Sequence, residues 1–232
     1  MAGVITHMVV ANEIRKRLPE GTIKNMGLFY LGNLAPDAIH AREGYIRAYK
    51  KHTHFRDDIP DKDFGKEECL TLFHERLAAF IKENRNREDD LLDLYRGYVA
   101  HVITDEVFIL TLRDEFRDIM EKKGIAQFDP LFFEYIVKDM TRNDMLLVMN
   151  YEDIEDIRIQ MEQVPIYPIK GFLTEQEMKT SRDWLVYQHF YHEQELIEPA
   201  FISYRRMTEF IQVAAEEIVK RLSEGGSLPR MF

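Results

Sequence analysis

Apolar residues recur along most of the chain at intervals of three and four, the period of an amphipathic helix, and the alternation expected of a strand is weak throughout. Val10, Ile14 and Leu18 share one face of a first helix that Thr6 is placed to cap and that Pro19 and Gly21 end. Asn25 to Leu31 predicts a short second helix, stopping at Gly32-Asn-Leu-Ala-Pro36-Asp37. Residues 37–62 are rich in Pro, Asp, His and Gly and show little periodicity, which predicts an ordered loop carrying function. Leu70, Phe73, Leu77, Phe80 and Ile81 mark a helix from Phe64 to about Asn84. Another runs from about Asp89 through His101 and Asp105 to about Leu112, and Arg113–Lys123 either continues it or follows a kink. Further helical patterns cover roughly 130–148, 151–163, 174–196 and 205–222.

Only 11 Gly and 8 Pro interrupt these patterns, with no repeat, low-complexity linker or clear domain boundary, so the expectation is a single all-α domain over residues 1–232. A chain of this length buries most of its unfolded surface without disulfides, and Cys69, the single cysteine, has no partner for one. That usage suits a reducing compartment. The first residues lack the basic and apolar regions of a secretion signal, and no apolar run approaches the ~18 residues of a membrane span. A soluble, cytoplasmic protein is expected.

The formal charge of −10, from 31 basic and 41 acidic residues, argues against broad binding to nucleic acid, which relies on clustered Lys and Arg. It does not exclude a phosphate substrate, because a bound cation reverses the local potential. The short basic stretch from Arg47 to Lys51 lies beside the candidate motifs.

The segment Gly97-Tyr-Val-Ala-His101-Val-Ile-Thr-Asp105 carries the strongest signal. Four residues apart on a helix, His101 and Asp105 share a face at roughly 5–6 Å between Cβ atoms and can ligate one cation or bridge two. The apolar surroundings imply burial, so something must compensate the Asp105 carboxylate; a purely structural His–Asp hydrogen bond is the bland alternative. In Lys51-His52-Thr53-His54-Phe55-Arg56-Asp57-Asp58, two histidines one residue apart can supply a ligand or can both be solvated. In Gly32-Asn-Leu-Ala-Pro36-Asp37-Ala-Ile-His40, Pro36 restricts the backbone before Asp37, as a ligand or a plain Pro-Asp turn would use. His7 stands in the first turn of the first helix. Together these supply three His and two Asp, an N/O donor set that suits Zn²⁺.

The series Thr6-His7, G-N-L-A-P-D at 32–37, T-H-F at 53–55 and G-Y-V-A-H-V-I-T-D at 97–105 resembles the bacterial zinc-dependent phospholipase C family, which is related to fungal zinc-dependent single-strand nucleases. The resemblance covers the first half of the chain. It implies an all-α fold of that type, with the metal-site half at about 1–112 and a C-terminal helical half at about 113–232. It further implies that Asp37, His54, His101 and Asp105 ligate one zinc, and that Asp105 bridges to a second held also by His7. In the family the mature N-terminal amine completes that second site, five residues before its histidine. Ala2 occupies the matching place here, provided Met1 is removed. The family's third site uses a His soon after H-x-x-x-D, where this chain has Thr111 instead. It also uses a later His-x-x-x-Glu, whose spacing His189 and Glu193 reproduce; a surface polar cluster is the alternative for that pair.

What the resemblance implies chemically is hydrolysis of phosphoric esters, diester or monoester, by a water whose pKa close zinc ions lower towards ~7. Asp37 and Asp105 are the catalytic carboxylates, with Asp37 orienting or deprotonating the water. One or two zinc ions are expected and a small phosphate ester is the expected substrate, with His40, His52, Arg47, Lys50 and Lys51 on the same loop as candidate contacts. Asp57 and Asp58 are candidate partners fixing His54. His74 is expected to be structural. Phe128, Phe132, Phe133, Tyr135 and Trp184 read as core and pocket wall. A metal phosphohydrolase of the HD type is set aside, since no His-Asp dipeptide occurs. The alternative from another class is a helical binding or regulatory protein that keeps a structural zinc without turnover.

Overall fold

A computed structural model of the chain describes residues 2–87, 89–192 and 195–232. Its regular structure is helical, and among the described residues no strand forms beyond a single bridge between Ile169 and Leu173. In chain order the helices are α1 (Val4–Arg17), α2 (Met26–Ala38), α3 (Arg47–Thr53), α4 (Glu67–Asn84), α5 (Leu92–Leu110), α6 (Leu112–Lys122), α7 (Pro130–Asn150), α8 (Ile154–Gln163), α9 (Glu175–Val186) and α10 (Tyr204–Leu222). A connected cluster of buried apolar side chains runs from Ala2 to Phe232.

α5 lies at the centre. It is apolar on nearly every side, and burial on all faces is the stable outcome for such a helix. α2 packs along it, α1 lies against both, α10 packs on α1 and α5, and α7 packs on α1. The α2–α5 approach depends on two glycines. A Cβ on Gly97 would stand 2.0 Å from the Phe29 carbonyl oxygen, and one on Gly32 would stand 1.9 Å from that of Leu94. Only hydrogen fits at either position.

Several boundaries differ from the sequence expectations. Thr6 does not cap α1; Gly3 does, and Thr6 lies buried inside the helix. The Gly32–Asp37 segment does not stop α2 but forms its second half, with Pro36 inside it. Pro36 stands near the helix end, so its missing N–H costs one backbone bond, and packing against α5 outweighs that loss. Residues 37–62 are not all loop: a 3₁₀ turn (Ile39–Ala41) and α3 form within them. The long helix ends at Leu110, Thr111 leaves helical geometry, and α6 restarts at Leu112, so a break separates the two. The expected 174–196 helix ends at Val186 and passes into a π turn (Tyr187–Tyr191).

Candidate metal centre

The ligand geometry begins with backbone anchors. His101 Nδ1 lies 2.6 Å from the carbonyl oxygen of Asn33, a contact that the close α2–α5 approach permits. A carbonyl only accepts, so Nδ1 carries the proton and Nε2 presents a lone pair. His54, at the C-terminal cap of α3, has Nδ1 2.9 Å from the Lys50 carbonyl oxygen, which fixes the same tautomer. Its segment is tied down on both sides. The Thr53 hydroxyl donates to the Pro36 carbonyl at 2.8 Å, and the Tyr98 hydroxyl donates to the Thr53 carbonyl at 2.5 Å. Phe55 follows in the left-handed region at φ 56°, uncommon for a non-glycine residue, and its buried ring packs on Phe80, Tyr98 and Phe172.

These anchors aim two unprotonated nitrogens at each other: the Nε2 atoms of His54 and His101 are 3.3 Å apart. Facing lone pairs at that distance repel unless a cation stands between them. His54 Nε2 is also 3.4 Å from Asp37 Oδ1 and 3.5 Å from Asp105 Oδ2. Tetrahedral zinc with bonds of ~2.0–2.1 Å has ligand–ligand edges of ~3.3–3.4 Å. Each of the three separations from His54 Nε2 has about the length of such an edge, and among the described residues the groups whose ligand atoms all lie mutually close are Asp37, His54 and His101, and His7, His101 and Asp105.

A second group shares the other Asp105 oxygen. His7 Nε2 lies 3.3 Å and the Ala2 backbone nitrogen 3.2 Å from Asp105 Oδ1. The His7 ring stacks on His101 with centroids 3.8 Å apart and planes 5° from parallel. His7 Nε2 and Asp105 Oδ2 are both buried without a hydrogen-bond partner, a costly condition that a cation would relieve. Asp144 of α7 sets the start of α1. Its carboxylate accepts from the Ile5 and Thr6 backbone N–H groups at 3.0 and 2.9 Å and from the Thr6 hydroxyl at 2.8 Å. A carboxylate against free N–H groups at a helix N-terminus is favourable, and here it fixes the approach of Ala2 and His7 to α5.

Burial alone would push both ligand carboxyls up. Against it, the Lys50 ammonium beside Asp37 holds that carboxyl well below the usual carboxylate range. Burial, reinforced by the neighbouring His7, drives His101 well below the ordinary imidazole value. An anionic Asp37 and a neutral His101 are protonation states a divalent cation requires. Lys50 is buried with its ammonium on Asp37 Oδ1.

His7, Asp37, His54, His101 and Asp105 thus come together, with the Ala2 nitrogen beside them. Met1 lies outside the described residues. The other expected residues go elsewhere. His52 is exposed, bonded to Asp57 and stacked on Phe172. Asp57 therefore does not fix His54, and exposed Asp58 reaches only towards Arg76. His40 lines the adjoining cavity against the Tyr45 ring. His189, in the π turn, also lines it, with Nδ1 buried and unbonded, but it belongs to neither of the groups able to hold a cation among the described residues. Glu193 lies outside the described residues. Thr111 bonds back to the Val107 carbonyl at 2.6 Å and does not reach the cavity. His74 bonds to buried Glu106, which also accepts from Arg221, a structural arrangement. Of the aromatics, Phe132 is core, Phe133 and Trp184 are cavity wall, and Phe128 is exposed.

The cavity, of about 680 Å³, opens beside Asp37 and His54. Its lining holds five basic residues, Arg47, Lys50, Lys51, Arg56 and Arg113, against three acidic ones, Asp37, Asp61 and Asp144. That excess is notable in a chain of net charge −10. Arg56 and Arg113, each 8% exposed, are the functional candidates that sequence reasoning missed. Arg56 stands two residues after His54 and Arg113 directly after the α5–α6 break, but no spacing signals that either is buried. Phe133, Ile136, Val137 and Met140 of α7 form an apolar part of the same wall.

Comparison of the chain with protein-family models, with curated proteins and with solved structures gives no match.

Proposed function

We propose that the protein is a zinc-dependent hydrolase of phosphoric esters, of the zinc-dependent phospholipase C and nuclease type. The observation that carries this reading is the pair of unprotonated imidazole nitrogens 3.3 Å apart, with two carboxylate oxygens at tetrahedral-edge distances. His54, His101, Asp37 and Asp105 would hold one zinc, and His7, Asp105 and the nitrogen of Ala2 a second. When bound, zinc supplies Lewis acidity, lowering the pKa of a water towards ~7 and polarising a phosphoryl oxygen. The chain's residues supply the rest. Asp37 lines the cavity and is the carboxylate able to orient a water there or take its proton. Asp105, deeper, would contribute an oxygen to each site. Lys50 offsets the Asp37 charge at the cavity wall. The cavity accommodates a small phosphate ester, and the single cysteine favours a reducing, cytoplasmic setting.

A helical binding protein with a structural zinc is the second reading, supported by Thr111 lying outside the cavity and His189 outside the ligand cluster. Elemental analysis with turnover of bis(p-nitrophenyl) phosphate and p-nitrophenyl phosphate separates the two. A hydrolase carries one or two zinc ions, loses activity on chelation, and loses metal and turnover together in His101→Ala. Zinc without turnover supports the binding protein. Full zinc in His101→Ala would contradict the assigned centre.

A further inference from the structure

We infer that Arg56 and Arg113 form an oxyanion subsite beside the metal centre. It takes a phosphoryl group bearing two negative charges, so that the ligand is a phosphomonoester dianion rather than a diester. The choice of ester rests on the proposed hydrolase reading; the anion subsite does not.

Arg113 is 8% exposed and lines the cavity, where it makes no hydrogen bond or ion pair among the described residues and its nitrogens are not among the buried unpartnered atoms; its guanidinium carbon lies 6.0 Å from the Phe132 and Phe133 ring centroids. Arg56 stacks on Phe64 at 4.3 Å, bonds Asp61 Oδ1 at 2.8 Å through one terminal nitrogen, and leaves its Nε buried without a partner. Asp61 is already shared, since Arg47 grips its other oxygen at 2.7 and 3.0 Å. One carboxylate therefore faces several guanidiniums. A lysine there could lose its proton, but arginine cannot, so the positive charge on the cavity wall is permanent. Ring contacts occupy guanidinium faces and leave N–H edges, the groups that grip phosphate oxygens.

Both arginines line the cavity that contains Asp37, so an anion there shares space with the metal centre. A diester has two terminal oxygens and one charge, which the metal centre would use. A monoester keeps a third terminal oxygen and a second charge, and these match the two guanidiniums.

The test uses the full-length protein as purified, with zinc content measured in every sample, and calorimetric binding of inorganic phosphate, phenyl phosphate and diphenyl phosphate. Phosphate and phenyl phosphate are expected to bind at least tenfold more tightly than diphenyl phosphate. Arg113→Met should weaken phosphate at least tenfold with zinc content unchanged. Its melting temperature without phosphate should stay close to that of wild type, because the guanidinium bonds no other residue among those described. Arg113→Lys keeps the charge without the fork and should fall between, which preserves the test if the methionine variant fails to fold. Phosphate affinity in the variants within twofold of wild type would overturn the subsite, and equal affinity for the diester would overturn the dianion assignment. Tight, Arg113-dependent phosphate binding without ester turnover would sink the hydrolase reading and leave the subsite standing.

Discussion

Replacing Gly97 by Ala probes the contact on which the whole centre depends. The added Cβ would stand 2.0 Å from the Phe29 carbonyl oxygen and 2.8 Å from the Asn33 nitrogen, so α2 and α5 must separate by about 1 Å or more to reach an ordinary contact of about 3.4 Å. Overpacking of this kind costs about 1–3 kcal/mol and sometimes more. Moving the helices apart also weakens the 2.6 Å bond between His101 Nδ1 and the Asn33 carbonyl, worth about 1 kcal/mol. The better helix propensity of Ala returns up to about 1 kcal/mol. The net expectation is a loss on the order of 2–3 kcal/mol, or a melting temperature lower by roughly 5–10 °C for a chain of this size. Because the lost bond orients a proposed ligand, affinity for the proposed zinc should fall about 10–100-fold. Thermal unfolding and competition against a chromophoric chelator read the two effects. Gly97→Ala protein with wild-type zinc affinity and a melting temperature within a degree of wild type would refute the argument.

Asp144→Ala removes the acceptor for three buried donors at the start of α1 and should cost about 2–4 kcal/mol in urea unfolding. It should also weaken zinc binding, because Ala2 and His7 lose their anchor; unchanged stability would show that water replaces the carboxylate freely. Glu13 is pushed up by burial, but Arg17, Tyr151 and Lys16 outweigh this and bring it down from 4.5 to about 2. Its contribution is present above pH 4.5 and is lost as pH falls towards 2, at most about 3 kcal/mol. Glu13→Gln should narrow the stability difference between pH 5 and pH 3, and identical pH profiles would count against the assignment. If the proposed centre is loaded with zinc, chelation should lower the melting temperature, as loss of any ligand held only by the folded state does; an unchanged melting curve after verified metal removal would show that the centre contributes nothing to stability.

Much of the helical pattern was legible because it is local. The period of α4, α7 and α10 follows from apolar spacing, and the shared face of His101 and Asp105 follows from their separation along one helix. Pro36 misled because a helix near its end tolerates one lost backbone bond when packing holds it, and α3 was missed because Arg47–Thr53 has almost no apolar stripe. The burial of Arg56 and Arg113 has no local signature at all. By itself the chain determined helix content and a set of imidazoles and carboxylates able to hold a cation. Only the tertiary structure decided that Asn33 reaches His101 across 68 positions, that Ala2 reaches Asp105 across 103, and that the arginines join them. Such distances depend on how closely helices cross, here on two missing side chains at Gly32 and Gly97, and no spacing along a sequence carries that information.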